Sequence, residues 1–149
     1  MTQIRKHGAL CAPVLLAFVF CTSPCLAGSV SVSDAWIRAL PDNLPAGGYF
    51  TLHNDTDKSV TLTGASSPAC GMLMLHQSVE TSGMSSMNDV PRVEVAPGAT
   101  LSFAPGGYHL MCMEPTALLK QGATVPVTLD FGDGSKTAVE FSVRSASGR

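Results

Sequence analysis

Val125-Pro126-Val127-Thr128-Leu129-Asp130-Phe131, Gly132-Asp133-Gly134-Ser135, Lys136-Thr137-Ala138-Val139-Glu140-Phe141-Ser142-Val143: this stretch decides the fold class. Val125, Val127, Leu129 and Phe131 alternate with polar residues or proline. After the glycine-rich turn, Thr137, Val139, Phe141 and Val143 alternate with Ala138, Glu140, Ser142 and Arg144. Side chains two apart leave a strand on the same face, so the pattern predicts a hairpin with one buried face.

Working outward, residues 30–39, 49–53, 59–63, 92–95, 100–103 and 108–113 read as further short strands, with turn signals such as Asn54-Asp55 and Ala96-Pro97-Gly98-Ala99 between them. No stretch keeps a helical period for ten residues, although 115–121 could form one helical turn. The expected class is all-β: an antiparallel β-sandwich or barrel in a single domain. Residues 77–89 break the rhythm. They are Ser-rich and polar, carry Met84 and Met87, and are expected to form a long functional loop. Trp36 is expected to anchor the core, and Met72 and Met74 to fill gaps in it. The sequon Asn54-Asp55-Thr56 is too short a match to carry weight.

The N-terminus has a different composition. Arg5, Lys6 and His7 precede an apolar run over 10–21, followed by small and polar residues up to Ala27. This is the pattern of a secretory signal, with cleavage expected after Ala27 and a mature domain over 28–149. The run is too short to span a membrane comfortably, so no membrane insertion of the mature chain is expected. Phe20 before Cys21 and Pro24 before Cys25 argue against a lipidation site.

Without 1–27, seven basic residues face eleven acidic ones, a net charge of −4, which does not suit nucleic acid. Cys70 and Cys112 are then the two remaining cysteines, and in an oxidising compartment they are expected to pair. Closing the chain between them stabilises the fold by about 3–4 kcal/mol in the chain-entropy account. All six remaining methionines lie between Met72 and Met113.

His76, Met87, His109 and Met111 stand out. His76 ends an apolar run, Met87 sits on the polar segment, and His109 and Met111 follow the turn Pro105-Gly106-Gly107. On a strand, His109 and Met111 share a face, roughly 7 Å apart. Neutral thioethers and imidazoles together suit Cu(I), whereas Ca²⁺ and Mg²⁺ require oxygen and structural zinc prefers thiolate. His53 reads as an ordinary hydrogen-bonded surface histidine.

The spacing of those four residues resembles the motif of the periplasmic copper(I) chaperone family PCuAC. So do Asp34-Ala35-Trp36-Ile37-Arg38, Ala46-Gly47-Gly48-Tyr49-Phe50 and Pro105-Gly106-Gly107-Tyr108-His109-Leu110-Met111. The resemblance spans 30–143. It implies a cupredoxin-like sandwich binding one Cu(I) per chain through the four motif residues. It also implies delivery to the binuclear copper centre of cytochrome c oxidase, directly to its copper-receiving subunit or through another periplasmic copper chaperone. Some members carry a His- and Met-rich C-terminal tail. Here the tail is Ser145-Ala146-Ser147-Gly148-Arg149, with no ligand for a second ion.

No catalytic triad, paired carboxylates or phosphate loop is visible, so a binding protein is expected and not an enzyme. Copper sequestration would use the same residues. A thiol reductant using Cys70 and Cys112 lacks the usual Cys-x-x-Cys spacing. A purely structural or adhesive sandwich leaves all four motif residues to coincidence.

Overall fold

A computed structural model describes residues 28–41 and 44–149. The expected signal sequence, 1–27, lies outside the described residues. The described residues form ten strands: β1 (Val30–Arg38), β2 (Ala46–Asn54), β3 (Val60–Ser66), β4 (Cys70–Thr81), β5 (Met84–Asp89), β6 (Val93–Val95), β7 (Thr100–Phe103), β8 (Tyr108–Pro115), β9 (Thr124–Phe131) and β10 (Lys136–Arg144). Among the described residues no helix is long and apolar enough to cross a membrane.

The strands run β5-β4-β8-β2-β1-β10-β9-β3-β6, and a β3–β4 pairing at Ala65 and Leu73 closes the wall. β2 pairs with β8 through its first residues and with β7 through its last. The architecture is the expected all-β single domain. One pairing departs from antiparallel: β1 and β10 run parallel. Period-two alternation shows which face a residue takes, not which strand lies beside it, so this neighbour was not readable.

The β9–β10 hairpin forms as expected, from Asp130–Lys136 to Thr124–Ser142. Its buried face joins Ile37, Leu52, Leu62, Leu110 and the stacked Phe50 and Phe103 rings, 4.2 Å between centroids, with Phe141 edge-on to Phe50. Each such fully buried aliphatic or aromatic side chain contributes about 1.5–3 kcal/mol of transfer free energy. Cys70 and Cys112 are disulfide-bonded, with Cα atoms 5.4 Å apart. Asn54 is wholly buried, its amide donating to the carbonyls of Lys58, Val95 and Ala96 while its oxygen accepts from Thr56. It locks the β2 corner and does not present itself for glycosylation.

Four local expectations are corrected. Residues 77–89 are not a loop. β4 continues to Thr81, turns through Ser82 and Gly83 (φ 53° and 80°) and returns as β5. Positive φ at both central residues is the type I′ geometry that matches strand twist. Residues 115–121 form hydrogen-bonded turns and no helix, with Leu119 N–H bonded to the Thr116 carbonyl. Trp36 is only half-buried and lies outside the core. A bulge between Ser33 and Trp36, with Asp34 at φ 52°, shifts the parity of β1. Val32 before it and Ile37 after it face the core, and Trp36 is turned outward. Met72 and Met74 do not fill the core either. They lie on the outer face of β4, Met72 exposed and Met74 half-buried.

Candidate metal centre

β4 and β8 pair in a register that sets Met72 opposite Met113, Met74 opposite Met111 and His76 opposite His109. Directly opposed residues share a face. Leu73, Leu75, Leu110 and Cys112 alternate with them and point into the core. The thioethers and imidazoles therefore occupy the outside of the wall. On β5, Met87 opposes Ser78 and Asp89 opposes His76, which brings them to the same face.

Two turns fix this patch. The β4–β5 hairpin carries Met87 alongside β4. The turn before β8 uses Gly106 at φ 84° and a hydrogen bond from Gly107 N–H to the Ala104 carbonyl. The Gly107 carbonyl lies 3.1 Å from His109 Nδ1 and also accepts the Ser78 N–H. With Nδ1–H donating to that carbonyl, His109 Nε2 is left with a free lone pair facing outward.

His76 is 9% exposed and His109 4%, and their ring centroids are 5.7 Å apart. His76 Nε2 lies 2.8 Å from the exposed Asp89 carboxylate, but not in hydrogen-bonding alignment. Both His76 ring nitrogens are buried and lack a hydrogen bond. A buried polar atom without a hydrogen bond costs about 1–3 kcal/mol.

In front of the imidazoles is a cavity of about 320 Å³. Met87, His109 and Met111 line it, with Arg38, Tyr49 and Ser78. His76 sits behind it against His109. Met87, at 52% exposure, forms the open rim. The structure thus gathers His76, Met87, His109 and Met111 at one place. It leaves His53 elsewhere, bonded to Ser33 and Thr100. Among the described residues no three His, Cys, Asp or Glu side chains cluster.

Arg38 and Tyr49 border the cavity, and Trp36, expected in the core, lies against them instead. Tyr49 lies 6.3 Å from the His109 ring and 4.6 Å from Trp36. The Arg38 guanidinium lies over both Trp36 and Tyr49, and that of Arg144 lies over Trp36. A Cβ on Gly47 would lie 2.4 Å from the Tyr49 hydroxyl oxygen, so a side chain there would displace the ring. The available signal was Gly47-Gly48-Tyr49, where small residues beside an aromatic mark close approach.

The model of the LpqE-like family matches residues 30–143. The protein named "Putative lipoprotein Lxx21020", from Leifsonia xyli subsp. xyli, is 35% identical over 123 residues, 82% of this chain and 74% of its own. "Uncharacterized protein RP573" from Rickettsia prowazekii is 31% identical over 96 residues, 64% of this chain and 53% of its own. Among solved structures, the Cu(I) form of DR1885 from Deinococcus radiodurans superposes with a TM-score of 0.62. It is 32% identical, and 76% of each chain is covered. The copper-bound PCuAC domain from PmoF2 shares the fold at a TM-score of 0.66 and 20% identity, over 80% of this chain and 95% of that one.

Proposed function

Since the chain belongs to the LpqE-like family, we propose that it is an exported copper(I) chaperone, a binding protein and not an enzyme. It holds one Cu(I) per chain between His76, Met87, His109 and Met111. The observation that carries this reading is the His76–His109 pair: two buried imidazoles set edge to face, one with no hydrogen bond at either nitrogen, beside two thioethers. The donor set fits the ion, since neutral sulfur and nitrogen stabilise a soft monovalent cation without overcharging the site. Four neutral ligands leave one positive charge, which Asp89 beside His76 offsets. The Cu(I) form of the DR1885 relative supports the same choice of metal.

Copper is the cargo. Met87 on the open rim is the ligand a partner can displace first, followed by Met111, while the imidazoles release last. A half-exposed ligand on an outer strand suits delivery better than sequestration, which is served by enclosure. The receiving protein is the copper-binding subunit of cytochrome c oxidase, which assembles its binuclear centre outside the cytoplasm, or another periplasmic copper chaperone. The export signal expected at 1–27 and the lipoprotein names of the family and of one relative support a periplasmic location.

Competition between the protein and a chromophoric Cu(I) chelator tests the site, with one tightly held equivalent of Cu(I) expected per chain. A stoichiometry near zero overturns the reading. Mixing the Cu(I)-loaded protein with the metal-free copper-receiving domain of the oxidase tests delivery. Copper retained in full by the donor would favour sequestration.

A further inference from the structure

We propose that Met72, Met74 and Met113 form a second, all-thioether Cu(I) site, directly below the first on the same outer face of β4 and β8. The inference rests on the copper reading and extends it, because it concerns the same cargo. The register places Met72 opposite Met113 and Met74 opposite Met111, with the His76–His109 pair next in line. Opposed Cβ atoms lie about 4.5–5.5 Å apart and diagonal neighbours about 7–8 Å, so three flexible thioether arms can converge on one ion. Met111, assigned to the first site, sits beside Met74 and is the natural point of exchange.

Ordinary packing does not account for these methionines. The core side of both strands is already filled by Leu73, Leu75, Leu110 and Cys112. Met72 is 56% exposed, on the outside of the wall, where an unbranched apolar side chain gains little from burial. Met113 and Met74 are half-buried on that same face. Three neutral thioethers suit a monovalent soft cation. With no imidazole among its ligands, the second site binds more weakly than the first. Transfer between the sites is ligand exchange at Cu(I), one thioether replacing another, with no change of oxidation state.

The test uses the exported protein with ¹³C-labelled methionine methyl groups, titrated with Ag(I), a diamagnetic soft monovalent ion. The first equivalent should shift the methyls of Met87 and Met111, and the second those of Met72, Met74 and Met113. The double substitution Met72→Leu/Met113→Leu should lower the stoichiometry from two to one and leave the first-equivalent shifts of Met87 and Met111 intact. Methyls of Met72 and Met113 that stay put through both equivalents overturn the second site, whatever Met87 and Met111 do. In that case the exposed row is an apolar surface only. Shifts at Met72 and Met113 without shifts at Met87 and Met111 would instead sink the four-residue site and leave this one standing.

Discussion

The two faces of the β4–β8 ladder are built from alternate residues of the same strands, yet they hold different chemistry. Inward lie Leu73, Leu75, Leu110 and the Cys112 end of the disulfide. Outward lie Met72, Met74, His76, His109, Met111 and Met113. The inner face gains from apolar area removed from water. The outer face leaves Met72 exposed and both nitrogens of the buried His76 ring without a hydrogen bond. A strand can carry both because its side chains alternate, so soft donors are set out in register without opening a hole in the core. Substitutions on one face should therefore change stability with metal binding intact, and on the other face the reverse.

The largest effect is expected from the inner staple. Replacing Cys70 and Cys112 together by Ala frees a connection closed across a sequence separation of 42. The chain-entropy account puts the loss at about 4 kcal/mol, seen as a lower denaturant midpoint. Cu(I) stoichiometry of the protein that remains folded should be unchanged. If stoichiometry falls with the midpoint, the disulfide positions the outer face as well, and the separation of faces fails.

Leu110→Ala comes next. Leu110 has no exposed surface and lies between His109 and Met111 in sequence. The cavity and lost transfer energy should cost about 2–5 kcal/mol. Cu(I) affinity measured well below the new midpoint should change less than the stability does. This is the sharpest test of the comparison, because a purely local distortion would instead reach both neighbouring ligands.

The complementary change is Met87→Leu/Met111→Leu. Leu and Met differ little in volume, so the stability cost should stay below about 1.5 kcal/mol. Removing both soft donors should weaken Cu(I) by about a hundredfold or more, about 2.7 kcal/mol, while weak Zn²⁺ or Cu(II) binding through His76 and His109 persists. Unchanged Cu(I) affinity would remove the two methionines from the ligand set.

How far these faces could be read in advance follows from what each buries. The β9–β10 hairpin was legible because its inner residues are apolar at every second position. The β4–β5 hairpin was not, because all six residues of β5 are exposed and no apolar period marks a strand wet on both sides. Trp36 misled because a bulge reverses parity without a reliable trace in composition. Met72 and Met74 misled because methionine is the usual gap-filler, and only the partner strand shows that the gap lies elsewhere. The four proposed ligands could be singled out by residue type and spacing, whereas Tyr49, Arg38 and Gly47 acquire a place beside them only when β1, β2 and β8 are assembled.

The smallest effect belongs to a position remote from both faces of the ladder. Asp133, in the β9–β10 turn, accepts hydrogen bonds from the backbone N–H and the hydroxyl of Ser135, and these hold its carboxyl below the usual aspartate range. A carboxyl whose folded-state pKa is depressed stabilises the fold above its unfolded pKa, and that contribution is lost as pH falls through the folded value. Asp133→Asn should therefore lower the melting temperature slightly at neutral pH, and the two proteins should converge in acid. The group is fully exposed, so solvent screening keeps the difference small. Cu(I) affinity should be the same for both proteins at every pH. A difference in copper binding would mean that the hairpin which decides the fold also reaches the outer face, through β10 and its parallel neighbour β1, where Trp36 and Arg38 meet Tyr49.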